Sequence, residues 1–176
     1  TLLGQTFALL DLTVGVDVTA YNDGFFGQPL STLLTTQTVY SRYTMLAPER
    51  VCLFWITSND LTNGDSAATV LTRAETEARR LVATGYTVLI LPVLPRTSAN
   101  PDYETSRQTV NAGLASSAAS WGCTYVDILA GDAAVLDDPA VISNATYYQA
   151  DQIHLTAASY ALIAANVAPA LAAVLT

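Results

Sequence analysis

Residues 66–93 read SAATVLTRAETEARRLVATGYTVLILPV, and two different periods follow one another within them. Val70, Leu71, Ala74, Ala78, Leu81 and Val82 recur at helical spacing. Ser66 stands where a side-chain oxygen can cap the first turn, and Gly85 stands where the helix must end. Glu75 and Arg79 face each other four residues apart on the polar side. Thr87–Val93 then switches to a short apolar run of strand type. Outward from this segment the alternation continues. Asp17–Tyr21, Val51–Thr57 and Thr124–Ile128 read as further strands. A second helix carries Tyr103, Arg107, Val110, Leu114 and Trp121 on one stripe. Strands alternating with helices predict a parallel sheet covered by helices on both faces. No repeat, linker or low-complexity tract interrupts residues 1–176, which read as a single domain.

Composition narrows the function classes. The 176 residues are 51% hydrophobic and 12% charged, enough to build a core without staples. All seven basic residues are arginines, there is no lysine, and the net charge is −8. Such a surface repels phosphate backbones and anionic membranes alike, so neither nucleic acid nor a membrane surface is an expected partner. Residues 155–176 are uncharged, but Tyr160, Ile163, Val167, Leu171 and Val174 recur at helical spacing while Thr156, Ser159 and Asn166 fall elsewhere. That pattern predicts a buried amphipathic helix rather than a membrane span. Cys52 and Cys123 have neither the number nor the spacing of a disulfide framework or a metal site. No metal and no organic cofactor is expected. Thr1–Leu10 lacks the basic flank of a secretory leader. Localisation stays undetermined, with a secreted, cell-envelope or virion setting slightly favoured.

In parallel α/β folds ligands bind beyond the carboxyl ends of the strands, so the loops there are the ones to read for chemistry. They are Asn22–Gly27, Thr57–Asp60, Leu94–Arg96 and the long stretch from Leu129 to His154. The last ends in Asp151-Gln152-Ile153-His154 and holds the only histidine of the chain. A carboxylate three residues before an imidazole can fix its tautomer and stabilise the imidazolium, leaving the other ring nitrogen as a general base.

Three of these loops resemble, in order and approximate spacing, blocks two, three and five of the SGNH (GDSL-type) hydrolases. They are Asn22–Gly27, Ser58-Asn59-Asp60 and Asp151–His154. The resemblance implies a three-layer, flavodoxin-like α/β fold with a parallel sheet of strand order 2-1-3-4-5. It also implies a serine esterase acting on a small-molecule or carbohydrate ester, with O-acetyl groups on carbohydrate as a plausible class. By that resemblance His154 is the base and Asp151 its orienting partner. The Gly27 N–H and the Asn59 amide belong to the oxyanion hole, and Asp60 braces the block-three loop. Phe25, Phe26, Arg96 and Tyr147 are candidate substrate contacts, each with core packing, rim or capping as the alternative.

The chain departs from the family pattern at two places. Thr57 stands where block three usually has glycine. The block-one Gly-Asp-Ser, expected a few tens of residues before the block-two glycine, is not found. Gly64-Asp65-Ser66 matches it in letters, but opens a helix, and Ser66 is read as the cap. The central first strand and its serine are therefore expected on a preceding segment or another chain that completes the sheet. The rival reading is a non-catalytic binding module, or a virion or cell-surface structural module, that keeps the fold without the nucleophile.

Overall fold

The computed structural model describes residues 29–33, 50–56 and 58–175. The strand expected at Asp17–Tyr21, the Asn22–Gly27 loop with Phe25, Phe26 and Gly27, and Thr57 lie outside the described residues. The described residues form two compact units, one holding residues 29–93 and 99–125 and the other residues 94–98 and 126–175.

The first unit contains the sheet. Strands β1 (Val51–Trp55), β2 (Thr87–Leu91) and β3 (Cys123–Tyr125) pair in parallel in the order β1-β2-β3. Three consecutive parallel strands side by side with helical crossovers are the α/β arrangement expected from the alternation. Cys52, Val88 and Cys123 occupy one row across the three strands, and both cysteines are unbridged.

All three strands stop sooner than their apolar runs suggested, at Trp55, Leu91 and Tyr125 rather than at Thr57, Val93 and Ile128. Pro92 has no N–H to donate, so the β2 ladder ends before it. The Pro92 carbonyl is used all the same, accepting from the Trp55 indole at 2.9 Å. Among the described residues β3 pairs with β2, as far as Ile90.

Helices α1 (Leu30–Leu33), α2 (Asn59–Thr62), α3 (Ala67–Ala83) and α4 (Tyr103–Ser117) complete this unit, and a 3-10 turn at Ala118–Trp121 extends α4. The Ser66 hydroxyl accepts from the Thr69 N–H and caps α3, the role read for it in the sequence. Gly85 takes a φ of +87°, and a Cβ there would lie 2.5 Å from the Arg50 guanidinium. The exposed pair forms as expected, with Arg79 Nε 2.8 Å from Glu75. α3 packs on β2 and on α4. Its buried stripe is Val70, Ala74, Ala78 and Leu81, with one residue that its charge would not place there, Glu77. Two hydrogen bonds from Arg80, at 2.9 and 2.6 Å, satisfy that carboxylate. On α4 the stripe of Tyr103, Arg107, Val110 and Leu114, with Trp121 beyond it, is buried as read.

The second unit holds two 3-10 turns (Gly131–Asp137 and Pro139–Ser143) and helix α5 (Ala157–Ala172). α5 packs on the first of these turns and buries Ile163, Ala164, Val167, Ala168 and Leu171. At 16 residues it is short of the roughly 20 needed to cross a bilayer. Among the described residues no helix is long and apolar enough to do so. Ser159, expected off the buried face, is fully buried. Its hydroxyl donates to the Tyr147 carbonyl at 2.6 Å, which removes the penalty of burying it.

Candidate active site

The Asp151–His154 segment is the turn of a short hairpin whose two arms are 147–149 and 154–156. Tyr148 and Leu155 form an antiparallel bridge. On either side of it the Gln149 N–H donates to the His154 carbonyl at 2.8 Å, and the Thr156 N–H to the Tyr147 carbonyl at 2.9 Å. The base of the hairpin is buried through Tyr148, Leu155 and Ser159, while the turn is exposed.

Within the turn one carboxylate does three things. Asp151 Oδ1 accepts from the backbone N–H groups of Ile153 at 2.9 Å and His154 at 3.0 Å. Its Oδ2 lies 2.6 Å from His154 Nδ1. The turn closes because Gln152 adopts a φ of +58°, the left-handed region that non-glycine residues rarely occupy. Asp151 is held well below the usual carboxylate range, first by the His154 ring hydrogen bond and then by the two backbone N–H groups. A permanently ionised Oδ2 favours the tautomer with the proton on Nδ1, so base chemistry falls to Nε2. The ring is 47% and the carboxylate 44% exposed, so the pair is accessible to a reactant.

Segment 94–98 anchors this hairpin. The Tyr148 hydroxyl donates to the Pro95 carbonyl at 2.9 Å, and the Thr97 N–H donates to the Gln152 carbonyl at 3.0 Å. Arg96 stands between these two anchors, half-buried, with Nε 3.3 Å from the Thr97 carbonyl. Tyr147 is half-buried, and its carbonyl is taken by Thr156 and Ser159.

Of the residues singled out in the sequence, the structure brings Asp151 and His154 into direct contact, and Arg96 and Tyr147 belong to the same unit. Asn59 belongs to the other unit, as the first residue of α2, where its carbonyl accepts from the Asn63 N–H. Its neighbour Asp60 is fully buried, with Oδ2 accepting from the Leu30 N–H and Oδ1 from Arg73, both at 2.8 Å. Arg73 also pairs with Asp65. Asp60 thus ties the start of α1 to the block-three turn. Sequence reasoning missed Arg73 and the backbone role of Gln152, and it read Tyr148 as core or rim without its Pro95 partner. Their partners are distant in sequence or, for Gln152, made by backbone conformation rather than residue type. Among the described residues no group of three or more His, Cys, Asp or Glu could hold a metal ion.

The sheet is a parallel α/β arrangement, and the family comparison gives its class. The chain belongs to the GDSL-like lipase/acylhydrolase family, whose profile matches residues 5–162. The fold is similar to that of the lipase/acylhydrolase from Enterococcus faecalis, with a TM-score of 0.68 at 16% identity. The match covers 98% of this chain and 85% of that one. No curated protein matches the sequence significantly. Membership points to ester hydrolysis as the reaction class.

Proposed function

We propose that the protein hydrolyses carboxylic esters through a Ser-His-Asp triad in which His154 is the base and Asp151 its orienting partner. The observation that carries the reading is the 2.6 Å contact between His154 Nδ1 and an Asp151 carboxylate pinned by two backbone N–H groups. The nucleophile of this reading is a serine of the block-one kind, outside the described residues. His154 Nε2 takes the hydroxyl proton as the serine oxygen adds to the ester carbonyl, and Asp151 stabilises the imidazolium. The imidazolium returns that proton to the departing alkoxide as the C–O bond breaks, leaving an acyl-serine. Water, deprotonated by the same Nε2, then releases the acid and regenerates the serine. The oxyanion of each addition is held by the serine N–H, the Gly27 N–H and the Asn59 amide. Loss of one such donor lowers turnover by ~10²–10³. Small acyl groups, including O-acetyl on carbohydrate, are the proposed substrates.

Full-length protein should cleave a short-chain aryl ester, and His154→Ala should abolish this while its circular dichroism and melting profile stay those of the parent. Activity that survives His154→Ala, or a parent without esterase activity, would remove the assignment and favour the binding-module reading.

A further inference from the structure

We infer that Tyr148 is a positioning residue for His154, coupling the imidazole to the Pro95 carbonyl through the hairpin that carries it; the inference rests on the reading of His154 as the base. Tyr148 is 1% exposed, and its one polar side-chain atom is spent on a carbonyl 53 positions away in sequence. The receiving strap is stiff. Pro92 and Pro95 each fix a φ angle, and each restricts the residue before it. The bridge partner of Tyr148 is Leu155, next to the histidine, and the following residue, Gln149, binds the His154 carbonyl. The second tether, from Thr97 N–H to the Gln152 carbonyl, holds the other side of the turn. The His154 backbone is therefore located by Tyr148 and its anchor, and its ring by Asp151.

With the hydroxyl removed, the hairpin keeps its ladder and the Thr97 tether but loses its deepest anchor. The expected result is a small displacement of the ring. A misplacement of ~1 Å can lower a rate by ~10², so a shift of a few tenths of an ångström predicts a fall of about three- to tenfold.

The test is Tyr148→Phe in the full-length protein, beside Val110→Ala, a buried substitution on α4 in the other unit. Residues 1–176 hold one histidine, and the loss of its signal in His154→Ala identifies the Nδ1–H resonance. For Tyr148→Phe we expect that resonance to shift and exchange faster with water, kcat on an aryl acetate to fall about three- to tenfold, and KM to stay unchanged. Val110→Ala should lower the melting temperature and leave resonance and kcat alone. If Tyr148→Phe behaves as Val110→Ala does, Tyr148 is only structural and the inference is overturned. Should Tyr148→Phe not fold, 3-fluorotyrosine at position 148 keeps the ring and strengthens the donor. The Nδ1–H resonance then moves if the coupling exists and stays if it does not. A parent that cleaves no ester would overturn the function reading instead, and the resonance would still decide the coupling.

Discussion

Asp151→Asn is nearly isosteric yet should disable the base while leaving the turn intact. Asp151 Oδ1 accepts two backbone N–H groups, at 2.9 and 3.0 Å, whereas Oδ2 meets one ring nitrogen at 2.6 Å. An asparagine has one acceptor oxygen to share between these two sides. Two backbone donors outweigh one ring nitrogen, so the amide oxygen should stay on the backbone and the NH₂ should turn towards Nδ1. Nδ1 must then accept, which moves the ring proton to Nε2, the atom required as the base. In a serine protease the equivalent loss of the correct tautomer lowers turnover by ~10⁴. With the same roles here, kcat on an aryl acetate should fall by a factor of that order. The turn keeps both its backbone bonds, so the melting temperature should stay close to the parent's. Long-range ¹H–¹⁵N spectra read the tautomer directly, and the single histidine makes the assignment immediate. The parent should show the proton on Nδ1 and the variant on Nε2. An Nδ1–H tautomer in the variant, or activity within tenfold of the parent's, would refute the reasoning.

Three further outcomes follow from the same geometry. Asp60→Ala leaves the Leu30 N–H without its acceptor, while Arg73, partly exposed, keeps Asp65, so the cost is that of an orphaned buried N–H, about 1–3 kcal/mol; urea unfolding measures it, and an unchanged stability would refute the bracing role. Gly85→Ala forces a side chain into a left-handed conformation and into the Arg50 guanidinium, so a loss of about 1–2 kcal/mol or more is expected in the same assay, with no gain possible from helix propensity. Asp151 should titrate below the ordinary 3.8 by carboxyl ¹³C chemical shift, and His154→Ala should raise its midpoint while the two backbone N–H groups keep it below 3.8. The folded value is depressed, so the ionised carboxylate supports the turn at every pH above the ordinary value. That support fades only as pH falls through the lower, folded one.

The frame was legible because its signals are local. Ser66, the Val70–Val82 stripe and Gly85 state where α3 starts, which way it faces and where it ends. The errors arose where a distant partner decides. β3 pairs with its neighbour only as far as Ile90, and no pattern within Cys123–Ile128 reports where that pairing ends. Glu77 and Ser159 look solvent-facing by type, yet Arg80 and the Tyr147 carbonyl make their burial tolerable. In the site, the lone histidine behind an aspartate was visible, since both its residue types and their spacing carry the chemistry. Its supports were not. Nothing in the letters Gln152 announces a positive φ, and nothing near Tyr148 names Pro95 as its partner. For Gly27, Phe25 and Phe26 the expectation stands on the resemblance alone.

The row that Cys52, Val88 and Cys123 share across the sheet has a consequence for thiol chemistry. A whole strand separates the two cysteines, so their Cα atoms are roughly 10 Å apart, two strand spacings, where a disulfide needs less than about 7 Å. Burial also pushes the Cys123 thiol up, away from the thiolate that would react. An oxidant cannot staple the folded sheet, and a reductant finds no bond between these two residues to cut. No bridge between these two cysteines therefore contributes to holding the described sheet together.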